Sequence, residues 1–184
     1  FYNREVFRKW RQRVGEAEAN RVTKESTERG TDFHEAAQAY LENKELDWNN
    51  YLPLTQFMFK CTKPYLDKIG TIHAIERTLY SEYLGLAGRV DCIAEYDGVL
   101  SIIDFKTSTK ERNDDWNENY YIQCSAYAEM YEERTGTEIN QIVILCVTED
   151  GTVQEFVKEK YDFLDMITES VAEWREKNET PSIN

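Results

Sequence analysis

Positive charge is scarce in this sequence. Its 184 residues include 22 Lys and Arg against 35 Asp and Glu, so the formal net charge is −13. Broad, non-specific binding to nucleic acid or to an anionic membrane needs a basic surface, and the composition argues against both. Contacts with phosphate groups must therefore be local, and metal ions bound at an acidic site could supply part of the missing positive charge.

Paired cysteines and long apolar runs are also missing. The four cysteines are scattered and no C-x-x-C pair occurs, which argues against a zinc or iron–sulfur site and against a disulfide framework. We therefore expect a reducing compartment. No run of ~18 apolar residues and no signal peptide occurs, so we expect no membrane contact. The length fits one domain, and the 41 % of hydrophobic residues suffice for a core.

Periodicity and turn residues predict an alternation of helices and strands. Helices are expected over residues 1–22, 23–44, 53–69, 119–135 and 161–177, and strands over residues 71–83, 87–96, 99–105, 139–148 and 153–158. The second helix starts near Thr23 or at Thr31, and Pro64 should kink or interrupt the third. The helix between the third and fourth strands allows these strands to run parallel. We predict one α/β (mixed α+β) domain over residues 1–184, with a helical part at 1–69 and, within 70–178, a mixed sheet of about five strands flanked by helices.

The stretch around residues 85–108 carries the strongest chemical signal. Two apolar runs flank Tyr96-Asp97-Gly98, and an Asp-Gly pair in this setting predicts a β-hairpin. Asp104 and Lys106 share a face of the second strand because side chains alternate with a period of two. The turn can bring Asp91 near them. One interpretation is a structural ion pair. The other is a site for Mg²⁺ or Mn²⁺, in which Lys106 orients or deprotonates the attacking water or stabilises charge on a phosphate.

Other candidate residues are compatible with a structural role as well. His34 lies beside the apolar face of a predicted helix, and Glu76 lies on a predicted strand that could aim it at the acidic cluster. Gln123 and Tyr127 share a helix face, where they could bind a phosphate or a base or could belong to the core and its rim. Local cations that could contact phosphate are Lys110 and Arg112 in a polar loop, and Arg4, Arg8, Lys9, Arg11 and Arg13 at the N-terminus.

Four short motifs occur in a characteristic order. They are G-x-x-x-H at Gly30–His34, G-x-x-D at Gly88–Asp91, D-x-K at Asp104–Lys106 and Q-x-x-x-Y at Gln123–Tyr127. Each motif alone is weak, but in this order on helix, strand, strand and helix they resemble the PD-(D/E)XK nuclease superfamily. The resemblance is to the RecB-type exonuclease branch and spans about residues 26–175. Within the branch, residues 85–108 are especially similar to mitochondrial and phage members that degrade single-stranded DNA.

The resemblance implies a restriction-endonuclease-like core and a role for each motif residue. Asp91, Asp104 and the backbone carbonyl of Phe105 would hold the metal, and Lys106 would position or activate the water. His34 would support the metal or the scissile phosphate, Gln123 and Tyr127 would hold the DNA strand, and Glu76 falls where some relatives keep an acidic residue. Bases could stack on nearby aromatic residues, which are Trp116, Tyr120 and Tyr121.

The function that the resemblance implies is hydrolysis of phosphodiester bonds from ends of single-stranded DNA. Such a Mg²⁺- or Mn²⁺-dependent exonuclease would serve DNA replication, recombination or repair, in the cytoplasm, or in the host cytoplasm if a phage encodes it. No iron–sulfur cluster is expected, because the four cysteines lack the spacing of cluster-binding relatives. Two alternatives stay open: a structure-specific (flap-type) endonuclease, and a non-catalytic DNA-binding module on a nuclease fold.

Overall fold

A five-stranded mixed sheet forms the centre of the protein. The computed structural model describes residues 4–178, which contain α1 (Arg4–Val14), α2 (Glu16–Leu41), α3 (Pro53–Leu66), β1 (Ile69–Ser81), β2 (Leu86–Tyr96), β3 (Val99–Ser108), α4 (Glu118–Thr135), β4 (Gln141–Thr148), β5 (Val153–Glu159) and α5 (Leu164–Asn178). Short 3-10 helices lie at Trp48–Asn50, Asp114–Asn117 and Lys160–Phe163. The strands follow chain order across the sheet. The predicted α/β class with a mixed sheet is confirmed.

The directions of the strands follow from their connections. Strands β1, β2 and β3 form an antiparallel meander, and β5 is antiparallel to β4. Strands β3 and β4 run parallel because α4 provides the crossover between them, as predicted. The β2–β3 turn is the predicted two-residue loop: Tyr96 pairs with Val99, and Asp97 and Gly98 have φ angles of 48° and 80°. Positive φ at both positions is the requirement of a type I′ turn.

The sheet has a hydrophobic core on each face. Ile102 of β3 faces the core built with α4 and α5, whereas its neighbour Ile103 faces the core built with α2 and α3. Each fully buried aliphatic side chain of this kind contributes about 1.5–3 kcal/mol. The face that carries Ile102 carries Asp104 and Lys106 further along the same strand. The candidate site therefore lies where the apolar part of β3 ends.

The N-terminal helices differ from the prediction. The helical conformation is interrupted at Gly15, which has a φ of 87°, and α2 then runs continuously from Glu16 to Leu41. Both predicted starts of the second helix, Thr23 and Thr31, are thus interior positions of α2. Glycine explains the break, because a left-handed φ is available to it at little steric cost. The first three residues of the predicted helix lie outside the described part of the chain.

Smaller differences concern helix ends and faces. Helix α3 includes Pro64 and ends at Leu66, and β1 begins at Ile69, two residues earlier than predicted. Helix α5 begins after a 3-10 turn, and Trp174 on this helix is exposed. The four cysteines are free thiols. Among the residues described, no helix combines the length and the apolar character needed to span a bilayer.

Candidate active site

The candidate site opens where β2 and β3 separate. The last paired residues of the hairpin at this end are Cys92 and Ile103. At Asp91, the residue before Cys92, a side-chain contact replaces the backbone pairing. Asp91 Oδ2 accepts a hydrogen bond of 2.8 Å from the backbone N–H of Phe105. This contact fixes the Asp91 carboxylate and satisfies an amide that would otherwise lose its partner. The predicted approach of Asp91 to the D-x-K segment is what the structure shows.

Asp104 and Lys106 form a close ion pair. Lys106 Nζ lies 2.6 Å from Asp104 Oδ2, and both side chains are largely buried. Burial acts to lower the pKa of Lys106, but the attraction of Asp104 and Asp91 is stronger and raises this pKa above its ordinary value of 10.5. Lys106 is therefore an ammonium at neutral pH.

His34 reaches the site from α2, on the other side of β3. Its Nε2 donates a hydrogen bond of 2.7 Å to the carbonyl oxygen of Phe105. Since a carbonyl only accepts, the proton of a neutral ring is on Nε2 and Nδ1 carries a lone pair. This Nδ1 lies 3.6 Å from Asp91 Oδ1 and 3.8 Å from Glu76 Oε1. An imidazole lone pair and two carboxylates thus face one another.

Glu76 has an unusual backbone that aims it into this group. The residue lies between the pairs Ile75–Cys92 and Arg77–Val90 of the β1–β2 ladder, opposite Asp91. Its φ is 47°, in the left-handed region that residues other than glycine rarely adopt. Such strain costs of order 1–3 kcal/mol and is typical of functional sites. The structure thus brings Glu76 to the acidic cluster, as its position on the predicted strand allowed.

The donor set fits a divalent cation. One ligand atom from each of His34, Glu76 and Asp91 lies within 4.8 Å of the others. Carboxylate oxygens suit Mg²⁺ and Mn²⁺, and imidazole is a common additional ligand of transition metals. Burial first, and repulsion from Asp104 second, raises the pKa of Asp91 from 3.8 to about 8. A bound cation would remove this penalty, because it supplies the missing positive charge.

The Q-x-x-x-Y motif contacts the G-x-x-D motif. Gln123 Nε2 donates a hydrogen bond of 2.9 Å to the hydroxyl oxygen of Tyr127. Tyr127 is only 5 % exposed, and a Cβ on Gly88 would lie 2.6 Å from its Cε1. The tyrosine ring therefore packs directly against the glycine of β2, three residues from Asp91. This contact gives Tyr127 a part in positioning the strand that carries Asp91.

The loop after β3 supplies a second side of the site. Lys106 Nζ lies 4.7 Å from the ring centroid of Tyr120, and the Arg112 guanidinium lies 5.0 Å from the same centroid. Arg112 also donates to Asn117 Oδ1 at 2.7 Å and to the carbonyl of Trp116 at 2.9 Å. Trp116 is 66 % exposed, and Lys110 is exposed as well. The structure thus brings Tyr120 and Arg112 next to Lys106, with Trp116 beside them.

The structure differs from two other predictions, which concern Tyr121 and the basic N-terminus. The expectation that Tyr121 stacks on bases is wrong, because its side chain is 3 % exposed, packs against Phe163 and donates to the Asp114 carboxylate. The predicted basic N-terminal arm is partly neutralised within the chain. Lys9 pairs with Glu5 at 2.7 Å, and Arg11 pairs with Glu16. Arg8 and Arg13 are exposed, and the side chain of Arg4 lies outside the described residues.

Sequence reasoning missed two arginines next to the motif glycines. Arg29 is buried, donates from Nε to Thr107 Oγ1 at 3.3 Å, and pairs with Glu149. Arg89 lies within the G-x-x-D motif, and its Nε is 2.6 Å from Glu76 Oε2. Both residues could have been identified from the sequence, because each is a cation inside or beside a motif in a strongly acidic chain.

Comparison with known proteins identifies the superfamily of this chain. The family model of the PD-(D/E)XK nuclease superfamily matches residues 54–182. The chain therefore belongs to this superfamily of nucleases, which use divalent metal ions, and the predicted membership is confirmed. The matched range includes Glu76, Asp91, Asp104 and Lys106, whereas His34 precedes it.

The individual relatives are named or described as exonucleases. Human "Mitochondrial genome maintenance exonuclease 1" is 26 % identical over 153 residues, a match that covers 70 % of this chain and 44 % of the human protein. The mouse protein of the same name is 33 % identical over 84 residues, which cover 45 % of this chain and 25 % of the mouse protein. The chain thus spans less than half the length of these curated relatives. A crystal structure of a protein from Eubacterium rectale, provisionally described as an exonuclease, shares the fold with a TM-score of 0.53, 13 % identity and coverage of 82 % of this chain and 68 % of that one.

Proposed function

We propose that the chain is a Mg²⁺- or Mn²⁺-dependent deoxyribonuclease that hydrolyses phosphodiester bonds from ends of single-stranded DNA. The observation that carries the proposal is the convergence of His34, Glu76 and Asp91 beside the Asp104–Lys106 pair. Membership of a nuclease superfamily supports hydrolysis, and the names of the curated relatives favour an exonuclease. A cytoplasmic location, expected from the cysteine pattern, stays a prediction.

The residues that would hold the metal are on both sides of β3. Asp91, Asp104 and the Phe105 carbonyl would be ligands, with His34 and Glu76 completing the set. The carbonyl oxygen has a second lone pair beside the one that accepts from His34. When bound, a divalent ion activates a water molecule and neutralises a non-bridging phosphate oxygen.

Lys106 would act as a charged hydrogen-bond donor. Because Asp104 and Asp91 keep its pKa above the ordinary value, it holds its proton at neutral pH. In this state it can orient the attacking water and balance the negative charge that develops on the phosphate. Its position over the Tyr120 ring restricts the direction of the ammonium. Such fixed donors stabilise a transition state without reorganisation during the reaction.

The DNA strand would follow the Lys106 side of the site. Trp116 and Tyr120 offer rings for unpaired bases, and Lys110 and Gln123 offer hydrogen-bond donors to phosphate. Arg112 would act mainly by holding the Trp116 loop, to which it already donates two hydrogen bonds. Tyr127 would contribute through the packing of its ring on Gly88 and through its bond with Gln123.

The test is a cleavage time course on end-labelled linear single-stranded DNA, beside a circular single strand. We expect loss of the linear strand in Mg²⁺ or Mn²⁺, no loss with chelator, and an intact circle. Cutting of the circle would favour the endonuclease alternative. Absence of all cleavage with DNA binding retained would favour the non-catalytic module.

The matched variants are Lys106→Ala and Lys60→Ala. Lys60 is exposed on α3, so its replacement removes the same charge away from the site. We expect Lys106→Ala to keep the fold and DNA binding while it loses cleavage, and Lys60→Ala to behave as wild type. Normal turnover by Lys106→Ala would refute the assigned role.

A further inference from the structure

Arg89 occupies the side of the site that lies opposite Lys106. It belongs to β2 and follows Gly88 directly. Its side chain is 62 % exposed, and its Nε lies 2.6 Å from Glu76 Oε2. The residue lines a cleft of about 430 Å³ with Gly30, Thr31, His34, Glu35, Gln38 and Glu76. His34 and Glu76 are shared between this cleft and the candidate metal centre, so the cleft is continuous with the site.

Three other cations around the site have fixed partners. Lys106 is paired with Asp104, and the buried Arg29 is paired with Glu149. Arg112 donates to Asn117 and Trp116. Arg89 differs because its contact with Glu76 uses Nε, while a guanidinium has four further N–H donors on its two terminal amino groups. Its exposure leaves these donors accessible from the cleft.

We propose that Arg89 binds a backbone phosphate of the DNA strand in this cleft while its Nε keeps Glu76 oriented toward the metal centre. The inference rests on the proposed function, because it assumes a DNA substrate. The planar fork of arginine suits both tasks at once, since it can bind a phosphate with two parallel hydrogen bonds and still hold a carboxylate. The size of the cleft is within the range of pockets that accept one small ligand, such as a nucleotide.

The contact with Glu76 connects the two tasks. Carboxylate ligands of metals are commonly oriented by hydrogen bonds from neighbouring groups, and loss of such a group typically costs 10–100-fold in metal affinity. Glu76 presents Oε2 to Arg89 and Oε1 to His34. Arg89 therefore influences metal binding through Glu76 and DNA binding through its own amino groups.

The variants are Arg89→Gln and Arg89→Lys, with Arg77→Gln as the control. Arg77 is exposed on the neighbouring strand β1, where it pairs with Val90, so its replacement removes the same charge one strand away from Arg89. Mn²⁺ affinity is measured by calorimetry without DNA. DNA affinity is measured with fluorescein-labelled dT20 at saturating Mn²⁺ over a series of salt concentrations, in proteins that also carry Lys106→Ala. Thermal unfolding confirms that each variant is folded.

For Arg89→Gln we expect Mn²⁺ affinity to fall about tenfold or more. We expect dT20 affinity to fall roughly 5–10-fold and the salt slope to become shallower by about 0.7, the value for one phosphate contact on a single strand. Arg89→Lys keeps the charge but lacks the fork, so it should restore part of the salt slope and not the Mn²⁺ affinity. Arg77→Gln should change neither quantity.

A second measurement locates the contact. One phosphate of the oligonucleotide is replaced by a neutral methylphosphonate, position by position. One position should weaken binding by the protein with Arg89 and leave binding by Arg89→Gln unchanged.

Other outcomes overturn the inference. A fall in Mn²⁺ affinity with unchanged dT20 affinity and salt slope would make Arg89 a positioning residue for Glu76 only. Changes in neither quantity would make it a surface arginine. If the parent protein binds dT20 but the protein with Lys106 intact never cleaves DNA, the proposed function fails while the Arg89 contact is still measured. Failure of the parent protein to bind dT20 would overturn both.

Discussion

The packing of Tyr127 on Gly88 makes a sharp prediction about a single methyl group. Replacement of Gly88 by Ala would place a Cβ 2.6 Å from Tyr127 Cε1 and 2.9 Å from its hydroxyl oxygen. Carbon atoms in contact are ordinarily about 3.5–4.0 Å apart, so the ring and the strand must separate by roughly 1 Å. The ring cannot swing into solvent, because Tyr127 is buried and its hydroxyl is bonded to Gln123.

The expected effect is larger on activity than on stability. Overpacking of this kind costs about 1–3 kcal/mol of folding free energy. The same displacement moves β2, which carries Arg89 and Asp91, and a misplacement of about 1 Å in a catalytic site can cost on the order of 100-fold in rate. We therefore expect Gly88→Ala to be folded, moderately destabilised and almost inactive.

The assay combines urea unfolding with cleavage rates in a double-mutant cycle. Tyr127→Ala alone should cost about 3–5 kcal/mol, since it removes a buried aromatic ring. In the double variant the clash is gone, so its destabilisation should be smaller than the sum of the two single effects by about 1–3 kcal/mol. Additive effects would contradict the proposed contact.

The other motif glycine provides the control. Gly30 lies within α2, and a Cβ there would meet Thr107 Oγ1 at 3.8 Å, an ordinary contact. Alanine is favoured over glycine inside a helix by roughly 0.5–1 kcal/mol, so Gly30→Ala should be neutral or stabilising. Equal stability losses at Gly30 and Gly88 would refute the reasoning that separates them.

Two further predictions concern charge and stacking. The raised pKa of Asp91 means that the folded, metal-free protein binds this proton more tightly than the unfolded chain does, so the associated stabilisation is complete below about pH 4 and is lost as the pH rises to about 8. We therefore expect the free energy of unfolding of Asp91→Asn in EDTA at pH 8 to exceed that of wild type by at least about 2 kcal/mol, with a smaller gain at pH 5. Mn²⁺ should stabilise wild type alone. Equal pH profiles of the two proteins in urea unfolding would contradict this. Trp116→Ala should weaken binding of single-stranded DNA by about 1–3 kcal/mol in fluorescence anisotropy, while Tyr121→Phe should leave it unchanged because Tyr121 is buried; a loss for Tyr121→Phe alone would reverse the assignment.

The parts that could be predicted from the sequence depend on local patterns. The Asp97-Gly98 turn, the alternation of side chains along β3 and the end of α4 at Thr135 each need only a few neighbouring residues, and the structure has them where expected. The motif order then sufficed to identify the superfamily. Local patterns also explain the error at Tyr121, because adjacent helix residues point in different directions and the pattern does not tell which of two tyrosines is covered.

The parts that could not be predicted depend on distant partners. Burial of Arg29 requires Glu149, which lies 120 positions away in the chain. The left-handed backbone of Glu76 has no local signal, since neither glycine nor asparagine occupies the position. Its direction follows from the ladder of β1 with β2, which surrounds it on both sides. Long-range packing therefore determines which of the charged residues belong to the site.

The charges of the site explain how so acidic a chain could act on DNA. Three carboxylates, from Glu76, Asp91 and Asp104, face the two cations Lys106 and Arg89, which leaves a net charge of minus one when all three carboxylates are ionised and His34 is neutral. Burial first, and the negative charge of Asp104 second, raises the pKa of Asp91, so this ionised arrangement is unfavourable without a cation. One divalent cation would change the net charge to plus one, the sign needed to attract a phosphodiester. Without metal the site has no net positive charge to attract the polyanion, so the affinity for DNA should itself depend on Mg²⁺ or Mn²⁺, and more so because the rest of this acidic surface offers DNA little attraction.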